Sequence, residues 1–157
     1  MIAAISGQST RVKSEQHELA VRSEPTSSRG GLWVSNESVL KKTRAALDAG
    51  LTPIVCVGER DEKNVEVVLT EQFRCGIGGL SDEQFARIVI AHQPVWAIGA
   101  GETATPEVAA DAHRFIRAHA KDRFGTEAAN NVRILYDGSV KPDNAKSLMA
   151  QHEMDAS

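Results

Sequence analysis

The chain has 157 residues, 18 basic against 21 acidic side chains, a net charge of −3 and a pI near 6.0. That is enough for one well-buried domain, while the absence of a basic stripe and an aromatic share of 4% argue against a nucleic-acid partner. No apolar stretch approaches transmembrane length, so no membrane partner is expected, and two cysteines without metal-ligand spacing, Cys56 and Cys75, fit a reducing, cytoplasmic setting with no metal and no cofactor.

Residues 2–5 form a short apolar run of β type, without the basic flank of a signal peptide. Residues 10–35 break the pattern: Glu, Ser, Arg and Thr dominate, and Ser23 to Gly31 has loop composition. A loop of that length is either functional or disordered, and its composition favours disorder. Residues 1–35 are therefore set apart as an atypical, loop-rich segment, with a folded unit over 36–157.

A helix is predicted over residues 38–49, with Val39, Leu40, Thr43 and Leu47 on one face and Gly50 as its stop. An apolar run at 54–57 follows, then a helix over 65–74. Ser81-Asp82-Glu83-Gln84 reads as a capping box opening a short turn. A third apolar run covers 88–91. Thr105-Pro106 supplies an N-cap and a first-turn proline, followed by Val108, Ala112, Phe115, Ile116 and His119 at helical spacing. The last strand is expected at 132–136, and Pro142 opens a final helix through Ala150. None of the four β-type runs alternates with polar residues, as expected for strands covered on both faces. Strand and helix in alternation predict a parallel α/β sheet with right-handed crossovers.

The run Ala91-His92-Gln93-Pro94-Val95-Trp96-Ala97-Ile98-Gly99-Ala100-Gly101-Glu102-Thr103-Ala104-Thr105-Pro106 resembles the sixth-strand end and closing lid of the triosephosphate isomerase family. The likeness extends from about residue 40 to 154. Leu40 to Leu51 is similar to the family's fourth helix, and Thr52 to Glu59 to its fifth strand with a Cys-Val-Gly-Glu end. Arg133 to Pro142 resembles its seventh strand and phosphate loop. More loosely, Gly7-Gln8-Ser9-Thr10-Arg11 is similar to the signature after strand four, with Gln8 where the family carries an electrophilic histidine. The resemblance implies a partial (β/α)8 TIM barrel of about four parallel β/α units, because a complete barrel takes about 250 residues.

Its chemistry would be the interconversion of glyceraldehyde 3-phosphate and dihydroxyacetone phosphate, in glycolysis and gluconeogenesis. That isomerisation takes a base beside the substrate carbon, an electrophile on the carbonyl, a phosphate grip and a lid that excludes water. By resemblance Gln93 holds the base position, where the family has glutamate. A carboxamide cannot accept a carbon-bound proton at neutral pH, so the chain is expected to be silent or very weak. His92 is a poor substitute, because neighbouring strand residues point to opposite faces. Gly99 and Ser139 match backbone positions that contact the substrate phosphate. Asp137 replaces the first glycine of the phosphate loop, placing a negative charge near the anion and a side chain where glycine angles are expected. Pro94, Val95 and Trp96 form the first hinge, Ala97, Ile98 and Gly101 belong to the lid, and Thr103 and Ala104 to the second hinge, with Glu102 in place of the usual lysine.

The resemblance also implies that Trp96 lies against Glu59 when the lid is open. Closure would bring Tyr136 and Ser139 to lid amides near Ala104 and Gly101. The family's lysine and eighth-strand phosphate loop have no expected counterpart. Cys56 reads as a packing residue, and His113, His119 and His152 as solvated. Other readings of the same residues are a non-catalytic half-barrel interaction module, paired with itself or with a complementary half, and a generic phosphate-binding α/β fragment.

Overall fold

A computed structural model describes residues 2–6, 35–97 and 104–151. Gln8, the lid residues Ile98, Gly99, Gly101 and Thr103, and His152 lie outside them.

Local signals set most element boundaries. Helix α1 (Asn36–Asp48) starts two residues before the expected position, because the Ser35 hydroxyl accepts the Ser38 amide at 3.2 Å. It ends where Gly50 adopts φ +78°, a left-handed turn that glycine tolerates best. Helix α2 spans Val65–Gly76, and the short α3 (Asp82–Phe85) carries the capping box between Ser81 and Gln84. The long α4 (Pro106–Phe124) begins with the Thr105 hydroxyl accepting the Val108 amide and a first-turn proline, and α6 (Pro142–Met149) likewise opens on proline. A further helix, α5 (Thr126–Asn131), follows Gly125 at φ +91° and was not expected from the sequence.

The strands β1 (Ile2–Ser6), β2 (Thr52–Val57), β3 (Val89–His92) and β4 (Arg133–Tyr136) form one sheet in sequence order. β2, β3 and β4 run parallel, with Val55 beside Ile90 and Ile90 beside Ile134. The α/β, partial-barrel expectation therefore holds for three parallel strands. β1 departs from it: it pairs antiparallel to β2, Ile2 opposite Cys56 and Ser6 opposite Thr52. An apolar run fixes no direction, and an edge strand's free amides and carbonyls are saturated by a neighbour running either way.

Side chains sort by the two-residue period of the strands. Val55, Val57, Ile90 and Ile134 are buried against Val39 and Leu47 of α1, Leu69 and Phe73 of α2, and Ile116 and Ala120 of α4. The other face carries Ile54, Cys56, Val89, Ala91 and Leu135, of which Ile54, Val89 and Leu135 are only half-buried. The expectation of cover on both faces is thus met on the helix side and only partly on the other. A smaller cluster at the carboxyl ends of the strands joins Ala97, Ala104, Ala109, Tyr136 and Leu148. Among the described residues no helix is long and apolar enough to cross a membrane.

Candidate functional site

The carboxyl ends of β2, β3 and β4 converge, and the strand period divides their polar side chains into two groups. On the helix side sit Glu59 and His92, each 1% exposed, with buried Tyr136. On the opposite face are Gln93 and Asp137, with Cys56 beneath them.

Glu59 is the hub of the first group. Its Oε1 accepts the Trp96 indole N–H at 2.8 Å, and its Oε2 lies 3.3 Å from His92 Nε2. Burial alone would push this carboxyl up, but the bonds and charge from His92 and the bond from Trp96 outweigh it and hold the group below the usual glutamate value. The contact between Trp96 and Glu59 is the one the resemblance implies for an open lid. His92 points away from Gln93, as strand geometry demands, with its ring 5.6 Å from that of His113.

His113 was expected to be solvated and is fully buried, because α4 lays that face on the sheet. His119 is half-buried: it bonds Thr70 at 3.1 Å and stacks on Phe73. The Tyr136 hydroxyl is buried without a hydrogen-bond partner among the described residues. Burial first, then the negative charges of Glu59 and Asp137, raise its pKa.

The turn after β2 is clamped from two sides. Gln72 of α2, itself 7% exposed, accepts the Gly58 amide at 2.9 Å and donates to the Gly58 carbonyl at 3.0 Å. A side chain at residue 58 would put its Cβ 1.7 Å from the Gln93 carbonyl oxygen. The backbones of β2 and β3 therefore approach closely here, tied by Gln93 N–H to Val57 O at 2.7 Å and Val95 N–H to Glu59 O at 2.8 Å. Sequence reasoning missed Gln72. A glutamine on an amphipathic helix reads as surface, and only its bidentate grip on a glycine peptide identifies its role.

Gln93 and Asp137 meet across β3 and β4. The Gln93 amide donates to Asp137 Oδ2 at 3.1 Å, and the Asp137 amide donates to His92 O at 2.8 Å. Asp137 does not take glycine-type backbone angles, since no described residue other than glycine has positive φ. The expected backbone penalty at this position is therefore absent, and what the substitution brings is charge. The glycine that space demands is Gly138, where a Cβ would fall 2.2 Å from the Tyr136 hydroxyl. Cys56 is buried as expected of a packing residue. Its thiol is pushed up to about 12, by burial and then by the Asp137 charge.

Ser139 supports the first hinge through its side chain, donating to the Ala97 carbonyl at 2.9 Å. Ala97 and Ala104, at the two ends of the lid, are buried in one cluster with Tyr136. Pro94 is buried, while Val95 and Trp96 are half-buried. Among the described residues no group of three His, Cys, Asp or Glu side chains is placed to hold a metal ion.

A family model described as triosephosphate isomerase matches residues 28–156. The chain is 62% identical over 125 residues to the triosephosphate isomerase of Solibacter usitatus, an alignment covering 77% of this chain and 50% of the relative. It is 50% identical over 124 residues to that of Roseiflexus castenholzii, covering 76% and 49%, and 47% identical over 125 residues to that of Geotalea uraniireducens, covering 77% and 50%. The chain spans about half the length of the curated relatives it matches.

Proposed function

The chain belongs to the triosephosphate isomerase family, and on that premise we propose that it carries the lid-bearing part of a triose phosphate site whose proton transfer is strongly impaired. The observation that carries this reading is the Gln93 carboxamide at the end of β3, spent on a hydrogen bond to Asp137. Losing a general base typically costs ~10²–10⁴-fold in rate. Glu59, Trp96, Ser139 and Ala97 support the view that the hinge is kept in its open arrangement. The family's setting is glycolysis and gluconeogenesis, in the cytoplasm. We place the domain boundary near residue 35, with 36–157 as the barrel-like unit. Gly99 and Ser139 would offer backbone donors to the substrate phosphate.

Two measurements test the reading. Conversion of glyceraldehyde 3-phosphate should be slower than in an active relative by ~10² or more. Titration with 2-phosphoglycolate, an enediolate mimic, should give weak binding that salt weakens further. Asp137→Gly should tighten that binding by about fivefold, since removing one negative charge near a partly desolvated anion is worth on the order of 1 kcal/mol. Turnover at the relative's level would overturn the impairment. Equal affinity of the two proteins would mean that Asp137 does not face the anion.

A second reading, a half-barrel that pairs with a second copy or a complementary half, draws on the half-buried Ile54, Val89 and Leu135. Taking such a residue from full exposure to full burial is worth ~1.5–3 kcal/mol, and covering the part still exposed gains a fraction of that, so that face favours association. Light scattering should show a mass above that of the monomer, rising with concentration. A monomer throughout the range, unfolding in one sharp transition, would rule this reading out.

A further inference from the structure

Both departures from the family at the mouth of the site, glutamate to Gln93 and glycine to Asp137, sit on one face of two adjacent strands and touch each other. His92 pairs with Tyr136 in the parallel register, and the Asp137 amide continues that ladder to His92 O at 2.8 Å, so residues 93 and 137 are neighbours. Glutamine and glutamate share the same heavy-atom skeleton. Gln93 Nε2 therefore marks where a carboxylate oxygen would stand in a glutamate of the same rotamer, and Asp137 Oδ2 lies 3.1 Å from it.

We propose that the proton-accepting carboxylate of this site has moved from β3 to β4: Asp137 takes up the carbon-bound proton of the triose phosphate, and Gln93 is the positioning residue that holds it. This deepens the functional reading above and rests on it.

The other groups at the strand ends are unsuited to the task. Glu59 and His92 are buried on the opposite face and engaged with each other. The Cys56 thiol is kept neutral by burial. Gln93 binds only Oδ2, and Oδ1 of Asp137, an exposed residue, accepts no hydrogen bond among the described residues. A carboxylate oriented by a donor on one oxygen and open on the other is the arrangement a general base needs.

In the step itself, the C–H bond beside the substrate carbonyl breaks and its proton passes to Asp137 Oδ1. The electron pair left behind forms the C=C bond of the enediolate, while the carbonyl π pair moves onto its oxygen. Reversal returns a proton from Asp137 to the same carbon. In heavy water the acid proton exchanges with solvent, so deuterium ends on the carbon without any net isomerisation.

The experiment follows that exchange. Dihydroxyacetone phosphate is incubated in D2O with the full chain, Asp137→Asn, Asp137→Gly and Gln93→Ala, and loss of the C1 proton signal is followed by NMR against buffer. 2-Phosphoglycolate is titrated into each protein, and melts check folding. The full chain should exchange faster than buffer, and both Asp137 variants should fall by about tenfold or more while binding the anion at least as tightly. Gln93→Ala should exchange more slowly than the full chain but faster than Asp137→Asn. Exchange no faster than buffer by a chain that binds the anion overturns the proposal and leaves the family site standing, as does full exchange in Asp137→Asn. A chain that does not bind 2-phosphoglycolate at all removes the triose phosphate reading and this inference with it.

Discussion

Gly58→Ala should cost the chain much of its stability and lower its melting temperature more than replacement of Gly50 or Gly125, the glycines at positive φ among the described residues. The new Cβ would lie 1.7 Å from the Gln93 carbonyl oxygen and 2.6 Å from its carbon, both backbone atoms that no rotamer change can move. Relief requires β2 and β3 to part at their carboxyl ends. That breaks the bonds from Gln93 N–H to Val57 O and from Val95 N–H to Glu59 O, and drags Gly58 out of the Gln72 clamp. Each lost hydrogen bond is worth ~0.5–1.5 kcal/mol, and the total with steric strain reaches ~3–5 kcal/mol of the 5–15 typical of a domain. Gly50→Ala and Gly125→Ala meet open space, so they lose only the glycine's conformational advantage, about 1 kcal/mol for Gly50 and ~1–3 kcal/mol for Gly125, whose φ 91° and ψ 168° lie in a region essentially confined to glycine. Denaturant titration of the three variants would show the order, and a Gly58→Ala protein as stable as Gly50→Ala would refute the close approach.

What could be read from the sequence follows how local each signal is. Ser81 with Gln84, Thr105 with Pro106, and Pro142 each mark a helix start within four residues, and each helix starts there. Strand positions were equally legible, because apolar runs of that length have few other uses. Direction was not: nothing in Ile2 to Ser6 says that the strand pairs antiparallel. His113 and Gln72 look solvent-directed in a linear reading, and their burial depends on which face of α4 or α2 meets the sheet. The bond from Gln93 to Asp137 spans 44 residues of sequence, so it emerges only from the register of β3 on β4. Family resemblance identified both positions as departures. Only the fold shows that they touch in space.

Glu59→Leu should be the other severe substitution. It leaves the half-buried Trp96 indole N–H and the 1%-exposed His92 without their acceptor. Leaving a buried donor without its acceptor costs ~1–3 kcal/mol, more than the bond itself contributes, and Glu59 serves two donors. The loss should also depend on pH, and the sign is fixed by the direction of the shift. The Glu59 carboxyl is held below its ordinary value of 4.5 in the folded chain, so its ionised form stabilises the fold above that value, and the contribution disappears as pH falls through the folded-state value. The stability gap between the native chain and Glu59→Leu should therefore be widest near neutral pH and narrow on acidification below 4.5. In a Trp33→Phe background, Trp96 is the remaining tryptophan, and its emission should shift to the red at pH 7 in the Glu59 variant, because the indole loses its buried partner and the first hinge is no longer pinned. A gap that stays constant between pH 7 and 3 would mean that Glu59 titrates as an ordinary surface carboxylate. An unmoved emission would mean that the Ser139 bond to Ala97 fixes the hinge without Glu59.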